Sequence, residues 1–233
     1  MSAVAHQVRA SYYNPANETS GHPDDTWGFG AQIGLSLKNL PTGPGDSINF
    51  TASYANGASR YVLGGVTGNS FAMYGGSDIG YQSLAFAASA DGVFGPGTNI
   101  EKSTLWGVRG AFNHNWDPYW SSSLFGSYTS VSWGDAGKGL LCAGLNSAVT
   151  ASGGGFSQGF VCNPDFSIAQ LGTVTRWTPV KGLTFSGEVI YTWLDQKNEG
   201  LIAAGPGATK PDAVYEMKNQ GTLTVGFRAQ RNF

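Results

Sequence analysis

The sequence predicts an all-β protein, a transmembrane antiparallel up-and-down β-barrel, and three observations point there. The first is composition: 35 glycines in 233 residues is about twice ordinary usage, charged residues at 12% are about half the usual share, and aromatics reach 13%. The second is alternation of apolar and polar residues over long stretches, the period of a strand with two unlike faces. The third is spacing: the strands are long, Trp and Tyr gather near their ends, and the connections alternate short and long.

The same composition excludes other classes. A disordered chain carries more charge and fewer aromatics. Collagen needs Gly at every third position. A helical bundle holds few glycines and more Ala, Leu, Glu and Lys. A net charge of -2 lacks the basic footprint of a nucleic-acid binder, so no nucleic-acid partner is expected. Mean hydropathy is -0.15, and no apolar run reaches the roughly 18 residues of a transmembrane helix. Met1–Arg9 has neither the basic nor the apolar region of a signal peptide.

The strands follow in order. The first spans residues 3–13 and the second residues 26–40, where Trp27, Phe29, Ala31, Ile33, Leu35 and Leu37 alternate with Gly28, Gly30, Gln32, Gly34, Ser36 and Lys38. Pro41–Asp46 is a turn signal. The third strand, 47–60, sets Ile48, Phe50, Ala52 and Tyr54 against Asn49, Thr51 and Ser53. The fourth, 67–75, is short and Gly-rich; the fifth is 81–91. The sixth, 103–117, carries Trp106, Val108, Phe112 and Trp116 on one face and Arg109, Asn113 and Asn115 on the other. Asp117–Pro118 turns tightly into the seventh, 119–133. The eighth, 165–178, meets the ninth, 182–195, across Pro179–Gly182. In the ninth, Leu183, Phe185, Val189, Tyr191 and Trp193 alternate with Thr184, Ser186, Glu188 and Thr192. The tenth, 217–233, closes the chain with Leu223, Val225, Phe227, Ala229, Arg231 and Phe233 on one parity. The chain reads as one domain over 1–233, and 140–164 as a loop rich in Gly, Ser, Ala and Asn.

Alternation alone does not say which face is inside. A small soluble barrel buries its apolar face, whereas a porin-type barrel turns it toward lipid and encloses a watery lumen. Strands of about 11–15 residues cover the roughly 9–11 tilted residues that cross a bilayer. Trp27, Trp106, Trp116, Trp120, Trp133, Trp177 and Trp193 suit an interfacial girdle. Short and long loops alternate as in outer-membrane barrels. These features favour the membrane barrel over a soluble β-sandwich or barrel binding module, and over an outer-membrane adhesin.

On the resulting parity, Arg9, Gln32, Lys38, Arg109, Arg176, Glu188 and Arg228 face the lumen as pore-lining candidates. The arginines stay charged and bias the field toward anions. Cys142 and Cys162 could close a disulfide in an oxidising compartment; the alternative is two unpaired thiols. His6, His22 and His114 share no metal-ligand spacing, and His114 falls on the apolar parity beside Trp116. Glu18, Asp24 and Asp25 read as solvated loop charge; the alternative is contact with cations. Ser121–Ser123 has no nucleophile-elbow context, and Gly153–Gly155 opens no phosphate-binding helix. No catalytic group, metal or cofactor is expected.

Trp106–Gly107–Val108–Arg109–Gly110–Ala111–Phe112–Asn113–His114–Asn115–Trp116–Asp117–Pro118–Tyr119–Trp120 resembles the strand–turn–strand of alphaproteobacterial general porins, of the rhizobial and Brucella type. Trp177–Leu183, Gly187–Tyr191, Gly45–Asn49, Ala55–Tyr61 and the terminal Val225–Phe233 are similar to the same family. The resemblance implies an outer-membrane location and a passive, trimeric channel for small hydrophilic solutes and ions, set among lipid and lipopolysaccharide. It also implies that the barrel-assembly machinery reads the last strand through Val225, Phe227 and Phe233, with Arg231 interrupting that face. Length departs from the pattern. At roughly 23 residues per strand, a sixteen-stranded barrel would need on the order of 140 more residues. The expectation is therefore about ten strands of sixteen, the C-terminal portion, with the N-terminal strands, the signal peptide and the lumen-narrowing loop upstream.

Overall fold

A computed structural model describes residues 1–14, 16–64, 68–204 and 210–232. Fourteen strands occur among these residues. They are β1 (Ser2–Val8), β2 (Thr26–Lys38), β3 (Ser47–Asn56), β4 (Ser70–Gly75), β5 (Gln82–Ala88), β6 (Gly92–Val93), β7 (Glu101–Asn115), β8 (Trp120–Trp133), β9 (Gly155–Phe156), β10 (Phe166–Val180), β11 (Leu183–Gln196), β12 (Gly200–Ala203), β13 (Val214–Met217) and β14 (Gln220–Arg231). Two helices join them, α1 (Arg60–Leu63) and α2 (Asp135–Ala151).

The wall of the molecule is a nine-stranded antiparallel sheet in the order β1-β2-β3-β7-β8-β10-β11-β14, with β6 paired to β7. Its three short turns lie at one end. Residues 39–46 join β2 to β3, 116–119 join β7 to β8, and Lys181–Gly182 join β10 to β11. Each turn has a local cause. Asn39 takes a positive φ of 56° and Gly182 one of 81°, a conformation that Gly and Asn tolerate best. Asp117 accepts from the backbone N–H groups of Tyr119 and Trp120. The long connections 9–25, 57–100, 134–165 and 197–219 gather at the opposite end. Among the described residues β1 and β14 each pair on one side, so the wall is an open sheet.

Register sorts the side chains into two unlike faces. Leu35, Phe50, Gly110, Gly126, Leu171, Tyr191 and Leu223 form one row across seven strands. Leu37, Ile48, Phe112, Leu124, Thr173, Val189 and Val225 form the next. This apolar face is uncovered: Ile33, Leu35, Leu124, Leu171 and Leu223 are all more than half exposed. Trp27, Tyr54, Trp106, Tyr128 and Trp193 border it toward the long loops, and Trp116, Tyr119, Trp120 and Trp177 toward the short turns. Trp106 and Trp116 are about ten residues apart, roughly 33 Å along a strand. At a tilt of about 45° that is about 24 Å of height, the height of a lipid-facing apolar band.

The other face is polar toward the short turns and is covered toward the long loops. There Leu105, Val131, Phe166 and Leu194 of the wall bury against Val62, Ala85 and Ala87. Phe71 meets Phe166 edge-on at 5.9 Å. The covering layer is a second sheet, β4-β5-β13-β12-β9, in which β13 runs parallel to β5. Its far side packs Leu84, Ile202, Tyr215 and Met217 against Val149 of α2.

Several expectations are corrected here. Residues 67–75 and 81–91 are not wall strands: β4 and β5 belong to the second sheet, and Thr67 lies outside the described residues. The cause is two-sided burial. In β5, Ser83, Leu84, Ala85, Ala87 and Ala88 are all buried, which calls for an unbroken run of small and apolar residues rather than alternation. The wall path therefore has eight strands, not ten. The first strand ends at Val8, and 140–164 is not all loop, because α2 occupies Asp135–Ala151. Cys142, on α2, forms a disulfide with Cys162. Trp133 does not join the girdle. It lies on the covered face, 4% exposed, and so close to Gly137 of α2 that a Cβ there would come within 3.2 Å of its ring.

Candidate pore wall

Three rows of the polar face carry most of its hydroxyls, amides and charges. Gly34, Thr51, Arg109, Ser127, Gln170, Thr192 and Thr222 make the first. Toward the short turns follow Lys38, Ser47, Asn113, Ser123, Val174, Glu188 and Gly226. Asn115, Ser121, Arg176, Ser186 and Arg228 complete the set. Hydroxyls, amides and charges predominate in these rows, with Val174 the one apolar side chain, because the strand period sends every second residue to this face.

Cross-strand hydrogen bonds hold the rows in place. Arg176 Nη1 donates to Ser123 Oγ at 2.7 Å, Ser123 Oγ donates to Asn113 Oδ1 at 2.7 Å, and Asn113 Nδ2 donates to Ser47 Oγ at 3.2 Å. Thus one guanidinium is oriented through four strands. In the first row Ser127 Oγ donates to Gln170 Oε1, and Gln170 Nε2 donates to Thr192 Oγ1 at 3.1 Å. Lys38, Arg109, Arg176 and Arg228 oppose the single acid Glu188 on these rows. These rows therefore carry a net positive charge.

The connection 57–100 crosses this face. α1 follows β3 directly, and its Ser59 N-cap is pinned from below. Asp91 Oδ1 accepts from both the Ser59 N–H at 2.6 Å and the Ser59 hydroxyl at 2.7 Å. His6 lies 3.6 Å from the other Asp91 oxygen and 2.7 Å from the Gly57 carbonyl. Arg109 Nη2 donates to the carbonyl of Val62 at 3.2 Å, tying the wall to α1. A cleft of about 510 Å³ remains between α1, β4 and the wall, with Arg109, Phe125, Ser127 and Gln170 on its wall side and Leu63 and Phe71 opposite. The connection between β3 and β7 thus lays α1 and β4 over the polar face of the wall.

The sequence-derived candidates divide as follows. Gln32, Lys38, Arg109, Arg176, Glu188 and Arg228 share the polar face. Arg9 does not join them. It lies past the end of β1 on the parity of Gln7 and Trp27, with Nε 3.2 Å from Asp25 and also donating to Gln7. Val225 and Phe227 are exposed on the apolar face of β14, and Phe233 lies outside the described residues. His114 sits between Phe112 and Trp116 with Nδ1 2.7 Å from Asp46, a structural contact at a turn. Among the described residues no three His, Cys, Asp or Glu side chains converge as a metal site. No helix there is long and apolar enough to cross a membrane.

The covering residues Val62, Leu63 and Phe71 escaped the sequence reading. Their signal was the unbroken apolar run of β5, which marks a segment that leaves the wall.

Comparison with known proteins comes down to one match: a family model described as a porin subfamily aligns with residues 2–226. No curated protein and no solved structure matches the chain.

Proposed function

The chain belongs to this porin subfamily, and on that premise we propose that its sheet is the wall of an outer-membrane channel for passive diffusion of small hydrophilic solutes and ions. The observation that carries this reading is the inverted polarity of the wall. Leucine and valine rows stand uncovered between two aromatic borders, while arginines, amides and hydroxyls occupy the opposite face. A soluble sheet would bury the first face and expose the second; a lipid-facing wall does the reverse.

Diffusion through such a wall is set by diameter, charge and water. Lys38, Arg109, Arg176 and Arg228 favour anions on the path, and residues 57–100 narrow it from within. Further wall strands would pair with the edges of β1 and β14, because unpaired backbone groups are costly in lipid. Closure to about sixteen strands and assembly as a homotrimer complete the reading. The exposed Val225 and Phe227 of β14 offer the assembly machinery its apolar handle.

The test is reconstitution. Protein that carries the further wall strands, folded in detergent and added to planar bilayers of outer-membrane lipid and lipopolysaccharide, should give discrete conductance steps, and the open eight-stranded wall alone should not. It should also migrate faster unboiled than boiled. A chain that dissolves as a monomer without detergent and leaves bilayers silent would overturn the reading.

A further inference from the structure

We propose that the cleft beneath α1 is a binding site for small anions with a planar apolar body, of which aromatic carboxylates are the simplest. As a station on a diffusion path it rests on the channel reading above. Its volume of about 510 Å³ lies within the roughly 300–1,000 Å³ of small-molecule sites.

The site is built by an exception to the polar face. Phe125 points to that face in a row shared by Ser36, Asn49, Ala111, Gly172, Ile190 and Thr224, and it is the one aromatic there. Its ring leans across to β10 and rests on Gly172, where a Cβ would come within 2.6 Å of the ring Cζ. Glycine at 172 thus lets the ring lie along the wall, as a platform for a flat apolar group. Leu63 and Phe71 close the opposite side.

The anionic end is provided for separately. Arg109 is the cross-strand partner of Ser127, and Phe125 lies two residues before Ser127 on β8. The guanidinium and the ring are therefore diagonal neighbours, roughly 7–8 Å apart at the backbone, about the span of one ring bearing one carboxylate. Arg109 spends one donor on the Val62 carbonyl, and that is its one hydrogen bond among the described residues. The remaining N–H groups suit a carboxylate in a forked pair. Ser127 and Gln170 add hydroxyl and amide beside it.

The experiment titrates detergent-folded protein with sodium benzoate, and with acetate, cyclohexanecarboxylate and benzylammonium as comparators, reading binding by ligand-observed NMR. Benzoate should bind at least about tenfold more tightly than acetate or benzylammonium, and more tightly than the non-planar acid. Phe125→Ala should abolish the preference over acetate, and Arg109→Gln the preference over benzylammonium. Gly172→Ala, which displaces the ring, should weaken benzoate while leaving acetate unchanged. Unfolding midpoints near that of the parent protein identify the variants that are folded. Equal affinity for benzoate and acetate, or folded variants that bind like the parent, would overturn the site. Bilayer conductance separates the two readings: a protein that conducts and ignores benzoate is a channel without this site. One that binds benzoate and never conducts refutes its role as a station.

Discussion

His114 Nδ1 lies 2.7 Å from Asp46 Oδ2, and through that contact the turn before β3 is fastened to the end of β7. Asp46 is wholly buried. The Thr42 hydroxyl, donating to it at 2.6 Å, is the leading cause that lowers its carboxyl from 3.8 to about 2, joined by the Asn115 N–H and by His114 against the opposing effect of burial. A depressed carboxyl stabilises the turn above its unfolded value and releases it in acid. The latch should be intact at pH 5 and should weaken as pH falls from about 4 to about 2. Exchange of the Asn115 amide, corrected for intrinsic rate, measures this. In Asp46→Asn the acid-dependent step should disappear.

Ser59 and Asp91 hold the start of α1, and the Ser59 hydroxyl, 1% exposed, also donates to the Ser89 carbonyl. Asp91→Ala leaves the Ser59 N–H without its acceptor, a loss of about 1–3 kcal/mol, while the hydroxyl keeps the Ser89 carbonyl. Residues 57–64 should then detach more readily from the wall. Single-channel records should show larger and noisier steps, while Asp91→Asn, which keeps an acceptor, recovers quieter ones.

Leu171 and Gln170 are chain neighbours on opposite faces of β10. Leu171→Arg puts a charge at the middle of the apolar band and should cost about 2–4 kcal/mol in bilayer unfolding equilibria. Gln170→Arg, on the polar face, should fold normally and raise anion preference. Equal costs for the two would remove the assignment of faces.

Arg109 and Arg176 test the charge of the path. Replacing either with Ala removes one fixed positive charge from the polar face and should lower the anion-to-cation permeability ratio on the order of twofold. Reversal potentials under a salt gradient report it. Arg176→Ala should also free Ser123 and Asn113, which the guanidinium now orders.

The Cys142–Cys162 disulfide closes a loop of sequence separation 20 between α2 and the approach to β10. Chain-entropy arguments give it about 3 kcal/mol. Reduction should raise amide exchange in α2 and leave β7, β8 and β10 unchanged. Mass spectrometry of alkylated protein should find both thiols blocked until reductant is added.

The wall was largely legible in the sequence and the covering layer was not. In β2, Trp27 to Leu37 alternate with glycine and polar residues, so both faces could be read from a few neighbouring positions. In β5, Leu84–Ala85–Phe86–Ala87 do not alternate, and counting β4 and β5 as wall strands inflated the wall by two. Helix α2 was hidden by its three glycines, which resemble a loop in composition, yet the helix packs against β6, β7 and β8. Trp133 carries the odd parity of the covered face, a signal outweighed by the grouping of Trp near strand ends.

The sequence by itself determined the strand periodicity, which residues of each wall strand share a face, and where the short turns fall. Those features depend on contacts between near neighbours and on the two-residue repeat. The tertiary structure alone decided that residues 57–100 leave the wall and cross its polar face. It likewise decided that Arg109 meets the carbonyl of Val62, and that Phe125 rests on Gly172. These contacts join residues 47 apart in the chain for the first pair, and different strands for the second. No local pattern encodes such pairings, because they come from burying one segment against another.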